Sequence, residues 1–112
     1  MEPDCIFCQI VAGRLPAEFV HQGEAVVAFH DLDPQAPVHV LVVPKRHSRD
    51  IGELGADPEA AAEVLAGIRG VVDELGLTQY RTVFNTGPGA GQSVFHVHAH
   101  VLSGRSFGWP PG

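Results

Sequence analysis

Positive charge, aromatic residues and long apolar runs are all scarce in this 112-residue chain. Seven Lys and Arg stand against 13 Asp and Glu, a formal charge of −6. That balance argues against a polymeric nucleic acid held by phosphate neutralisation but leaves a mononucleotide within reach. No apolar run approaches the ~20 residues of a membrane span, and MEPDCIFC lacks the basic stretch and apolar core of a secretory leader. A cytoplasmic protein with no membrane partner is expected. Two Cys in a reducing compartment do not make a disulfide framework. One Trp, one Tyr and one Met contrast with seven His, three of them within five residues. The length suits one domain, 1–112, that buries roughly 65% of the surface its unfolded chain exposes. Any further stability must come from a partner subunit or a metal.

Ile6, Phe7, Ile10 and Val11 recur at helical spacing between a capping Asp4 and Gly13. Phe19-Val20 and Val26 to Phe29 flank a turn at Gly23-Glu24 and predict a hairpin. Two prolines keep Asp31 to Pro37 irregular, and Val38 to Pro44 is β-branched enough for a buried central strand. The long helix is Pro58 to Leu75, with Asp57 as N-cap, Gly76 as a left-handed cap, and an apolar stripe that includes Val64, Leu65, Ile68, Val71 and Leu75. Strands are predicted at Tyr80 to Asn85 and Val94 to Leu102, around a Gly-rich loop from Thr86 to Ser93. The block order predicts an α+β fold: an about five-stranded, mainly antiparallel sheet with one long helix and a short N-terminal helix.

Alternation through Phe95-His96-Val97-His98-Ala99-His100-Val101-Leu102 puts His96, His98 and His100 on one strand face and the apolar residues on the other. The outer Cα atoms then lie ~13 Å apart, so an adjacent pair at most chelates one metal and an imidazole stays free as nucleophile or base. The loop Asn85 to Ser93 can bring backbone N–H groups to an anion, with Gln92 and Ser93 as further donors, or can simply be a turn. Cys5 and Cys8 form a C-x-x-C that reads as a redox motif, half of a zinc site, or coincidence.

Gly91 to Leu102, GQSVFHVHAHVL, resembles the signature of the histidine triad family of nucleotide-binding proteins and nucleotidyl hydrolases. Phe29 to His47, FHDLDPQAPVHVLVVPKRH, and the terminal GWPPG are similar to its purine-nucleoside phosphoramidase branch. The resemblance implies that His98 attacks the α-phosphorus and forms a nucleotidyl-histidine that water hydrolyses. His100, His39, Gln92 and Ser93 would stabilise the phosphate oxygens, and Ser93 would relay a proton to the leaving amine. Asp31 would accept from the ribose hydroxyls, or serve only as a turn former. Phe7, Ile10, Phe29 and Leu32 would hold the base, with ordinary core as the alternative for Phe29 and Leu32. Asn85 and Gly91 would lie along the phosphate or ribose.

The same resemblance implies a structural Zn²⁺ on Cys5, Cys8, His47 and His96, and a C₂ homodimer in which the WPPG tail packs near the partner's active site. The expected substrate is a purine nucleoside 5′-phosphoramidate, cleaved to the monophosphate. Competing readings are a dinucleoside polyphosphate hydrolase, a nucleotide-binding adaptor with incidental catalysis, and a zinc hydrolase that uses two triad histidines as ligands.

Overall fold

The computed structural model describes residues 2–112. Five strands form one antiparallel sheet in the order β1-β2-β3-β5-β4. They are β1 (Phe19–Gln22), β2 (Val26–His30), β3 (Val38–Pro44), β4 (Arg81–Val83) and β5 (Ala99–Ser103). Among the described residues three α-helices, α1 (Ile6–Val11), α2 (Ile51–Gly55) and α3 (Pro58–Leu75), and a short 3-10 turn, Pro88–Ala90, accompany them. The α+β architecture, the hairpin, the central β3 and the limits of α3 are as the sequence predicts.

Each face of the sheet carries its own core. On one, Val26, Ala28, Val40, Val42, Ala99 and Val101 meet Val64, Ile68 and Val71 of α3. On the other, Val27, Phe29, Leu41 and Val43 meet Phe7 and Ile10 of α1. The alternation along β2 and β3 is thus double-sided, which is why these strands read as continuous apolar runs. Gly67 lets α3 approach closely, since a Cβ there would lie 2.6 Å from Val26 Cγ1. The α3 cap residues Asp57 and Gly76 (φ 62°) act as predicted. Its buried stripe is narrower than expected, however, and Leu65 is 63% exposed. Among the described residues no helix is long and apolar enough to cross a membrane.

Several expectations need correction. The N-cap of α1 is Cys5, not Asp4; its sulfur accepts the N–H of Cys8 at 3.3 Å. Strand β4 is shorter than Tyr80 to Asn85, and α2 was not predicted. Asp50 caps α2 through the N–H of Glu53 (2.9 Å), while Glu53 Oε1 accepts from the N–H of Arg49, one residue before the cap.

The predicted strand Val94 to Leu102 is regular only from Ala99. Its last ladder pair with β3 is Val42 with Ala99. Two residues on, Pro44 has no N–H to give, and its carbonyl is taken by His96 Nε2–H at 2.7 Å. The N–H of Val97 goes instead to the Ser48 carbonyl. Phe95, expected in the core, is 40% exposed beneath the Arg49 guanidinium.

Candidate functional site

Directly paired residues on antiparallel strands share a face, and Phe29, Leu41 and His100 pair in sequence across β2, β3 and β5. His39, two residues from Leu41, joins them. This is the face that α3 leaves open. On the way into β5, residues 94–98 send His96 to one polar centre and His98 to another.

The first centre is the cluster Cys5, Cys8, His47 and His96, whose donor atoms all lie within 4.8 Å of one another. His96 Nδ1 is 3.3 Å from Cys5 Sγ and 3.5 Å from Cys8 Sγ, and His47 Nδ1 is 3.4 Å from Cys8 Sγ. A tetrahedral Zn²⁺ with ordinary Zn–S and Zn–N bonds has S···N edges of ~3.6 Å. The protonation pattern agrees. His96 donates Nε2–H to Pro44, so its Nδ1 carries a lone pair towards the sulfurs, as a metal-bound imidazole held by an outer carbonyl does. Burial pushes the His96 pKa down to about 4, which keeps the ring neutral.

The second centre is a cleft of about 260 Å³. Phe7, Ile10, Phe29 and Leu41 contribute apolar walls, and Asp31, Ser93, His98 and His100 contribute polar groups. Leu32 is at its rim, 98% exposed. His98 donates Nδ1–H to the His96 carbonyl at 2.8 Å, so its Nε2 carries the lone pair. Burial lowers its pKa, with the Asp31 charge partly opposing. Phe7 stands edge-on to the ring at 4.9 Å.

His39 is buried behind His100. Its Nδ1 accepts the N–H of Gln35 at 3.0 Å, so the neutral ring is protonated at Nε2. That Nε2–H donates to His100 Nδ1 at 2.8 Å, with Asp31 Oδ2 3.4 Å away. His100 therefore carries its own proton on Nε2. Burial first, then His98 and His39, push the His100 pKa down to about 4. The two neighbouring triad rings thus end opposite: His98 with a free lone pair, His100 with a free N–H. The same logic bears on Asp31, His39 and His100 as a metal site, since their donor atoms also converge. With His39 Nδ1 accepting from a backbone N–H, a metal on Nε2 would demand an imidazolate, so this trio is not built for an ion.

Not every expected residue lines the cleft. Gln92 is buried, and its amide N–H groups reach the carbonyls of Arg49 (2.8 Å) and Val94 (3.1 Å), while Oε1 accepts Gly87 N–H (2.9 Å). Instead of offering itself to a phosphate, Gln92 clamps the Gly-rich loop. The N–H groups of Ala90, Gly91 and Gln92 return to Pro88 and Gly87 within the same loop, so Gly91 does not supply the expected cradle. Asn85 lies beside Gly91, outside the cleft wall. Ser93 is the loop residue that lines it. Ile6, Pro16, Ala17, His30, Leu41 and Val94 line it too without having been expected there. Leu41 was recoverable from its place two residues after His39; Pro16 and Ala17 carried no signal.

Comparison with known proteins agrees with this geometry. The HIT domain model matches residues 12–107. An uncharacterized HIT-like protein of Synechococcus elongatus is 44% identical over the whole of both chains. A 14 kDa zinc-binding protein of Zea mays is 40% identical over 96% of this chain and 87% of its own. The crystal structure of a HIT family hydrolase from Legionella pneumophila Philadelphia 1 superposes with a TM-score of 0.91 at 41% identity, covering 97% of this chain and 100% of the other. The chain thus belongs to the HIT domain family.

Proposed function

We propose that this protein is a nucleotidyl hydrolase that cleaves the P–N bond of purine nucleoside 5′-phosphoramidates through a covalent intermediate on His98. The observation that carries this reading is the pair of opposed tautomers at one cleft. His98 offers an Nε2 lone pair because its Nδ1–H is held by the His96 carbonyl. His100 offers an Nε2–H because its Nδ1 accepts from His39. A nucleophile beside a fixed donor suits attack on phosphorus with charge developing on a non-bridging oxygen.

In the first step His98 Nε2 bonds to phosphorus, the P–N bond breaks, and the departing amine takes a proton drawn from solvent through the Ser93 hydroxyl, the proposed relay; the attacking water of the second step gives one back. In the second, water attacks the nucleotidyl-histidine, releasing the monophosphate and restoring the imidazole. Asp31 is the proposed ribose acceptor, and Phe7, Ile10, Phe29 and Leu32 the base slot. The name of the Legionella relative, a hydrolase, supports the reaction class.

The zinc-binding name of the maize relative and the donor geometry support Zn²⁺ on Cys5, Cys8, His47 and His96. When bound there it supplies a crosslink, while His98 and His100 keep the chemistry. The whole chain is proposed to act as one domain, and a reducing cytoplasm is the proposed location because it would keep Cys5 and Cys8 available as metal ligands. A homodimer is proposed from the edge position of β4 and from Trp109, 84% exposed at the end of the chain.

The test compares kcat/KM on AMP amidates, AMP esters and dinucleoside polyphosphates. His98→Ala is expected to lose roughly 10³-fold or more in turnover of the amidate while still binding AMP. Unchanged turnover removes His98 as nucleophile. Preference for the polyphosphates favours the runner-up hydrolase, and uniformly slow turnover favours a nucleotide-binding adaptor.

A further inference from the structure

The loop from Asp31 to Pro37 carries the Asp31 residue that lines the cleft and, behind it, the Gln35 N–H that sets the His39 tautomer. Two prolines and exposed side chains give this loop little core of its own. It is held from outside by the segment that follows β5. Gly104, at φ +98°, lies so close to the loop that a Cβ there would be 2.8 Å from Pro37 Cβ. One residue on, Arg105 Nε–H donates to the Gln35 carbonyl at 2.9 Å. The guanidinium is fixed in turn: its Nη1 donates to Ser106 O at 2.9 Å, and it stacks 4.3 Å from the Phe107 ring centroid. Both peptide groups of Gln35 are therefore tethered, one to Arg105 and the other to His39.

We propose that Arg105 is a positioning residue for His100: by holding the Gln35 carbonyl it keeps the Gln35 N–H on His39 Nδ1, and so fixes His100 as a hydrogen-bond donor into the cleft. The chain of donors runs in one direction, from Gln35 N–H to His39 Nδ1 and from His39 Nε2–H to His100 Nδ1. If Gln35 leaves, His39 is free to carry its proton on Nδ1 and accept at Nε2. His100 then donates Nδ1–H backwards and turns a lone pair towards the phosphate oxygen it should stabilise. Arg105 touches neither substrate nor reacting atom, and its influence on rate passes entirely through this reversal. The effect on turnover rests on the proposed nucleotidyl-transfer reaction; the tautomers do not.

Nitrogen-15 spectra of the imidazoles, recorded on the full chain, identify the protonated nitrogen of His39 and His100 directly. Both rings are expected to be protonated at Nε2 in the unaltered protein. Arg105→Met, which keeps length and removes the donors, is expected to populate His100 protonated at Nδ1. It should also lower kcat on an adenosine phosphoramidate by roughly 3- to 10-fold, the range for one neutral hydrogen bond, with KM nearly unchanged. Gln35→Pro, which deletes the N–H itself, should move the tautomers in the same direction, whereas Gln35→Ala should leave them as they are. Nδ1-protonated rings in the unaltered protein overturn the proposal, as do unchanged tautomers in Arg105→Met, whatever Gln35→Pro shows. A tautomer shift with unchanged kcat overturns it as well. A protein that hydrolyses no phosphoramidate yet shows the shift refutes the proposed reaction and upholds the wiring.

Discussion

His98 and His100 sit two residues apart and present opposite faces of the same chemistry because their outer nitrogens meet different partners. A carbonyl behind His98 makes it an acceptor at the cleft, and a donor behind His100 makes it a donor there. The same environment has a cost in acid. An unfolded chain protonates His100 near the ordinary 6.5, while the folded chain resists until about 4. Between those values the unfolded state binds more protons, so stability falls as pH drops through this window and is unaffected above it. In urea unfolding, the wild type should lose about 1 kcal/mol more than His100→Asn between pH 7 and 5, a figure reduced for the ring's partial solvation. Equal losses in the two proteins would show that His100 does not titrate abnormally. At this scale the triad was legible from its own short spacing, whereas the four Cys and His donors were legible only through the family resemblance, since spacing alone left the C-x-x-C open. The roles of Gln92 and Gly91 were not. Their partners include Arg49, 43 residues away from Gln92, and no local pattern encodes which carbonyl an amide will find.

Elements were legible where period and cap agreed, as in α3, and misread where alternation outran the ladder. Val94 to Leu102 alternates throughout, yet the ladder with β3 stops at Ala99, opposite Val42, because the β3 residue that would face Val97 is Pro44. A reading that paired the strands before extending them would have stopped there too. The glycine in α3 was likewise silent in sequence, since helical spacing does not reveal how near a strand comes. Gly67→Ala raises intrinsic helix propensity, but it drives a methyl to 2.6 Å from Val26 Cγ1, between helix and sheet. The clash should win, with a net loss of about 1–3 kcal/mol in chemical denaturation. Gain of stability would mean that the two layers separate more freely than their packing suggests.

For the molecule as a whole, the Cys and His cluster is where α1, the turn after β3 and the segment entering β5 are joined. Besides the cluster, α1 packs on the smaller core around Phe7 and Ile10, and the other two pieces meet through the Val97 N–H on the Ser48 carbonyl. If the cluster holds the proposed Zn²⁺, its removal by a chelator should therefore loosen that face selectively. Hydrogen exchange is expected to accelerate in residues 5–12 and 94–98 and to stay slow in β2, β3 and α3, with turnover declining as the His96 carbonyl loses its fixed place beside His98. Uniform acceleration would instead make the cluster a support of the entire fold. The cluster also joins points far apart in sequence: Cys5 and His96 are separated by 91 residues. During synthesis at about 5–20 residues per second, the two thiols are made roughly 5 to 20 s before the last of their partners. For that interval a nascent chain carries an exposed, incomplete chelate, open to oxidants and to the wrong ion. Fidelity of assembly is thus set by the conditions the newborn chain meets as much as by its finished structure.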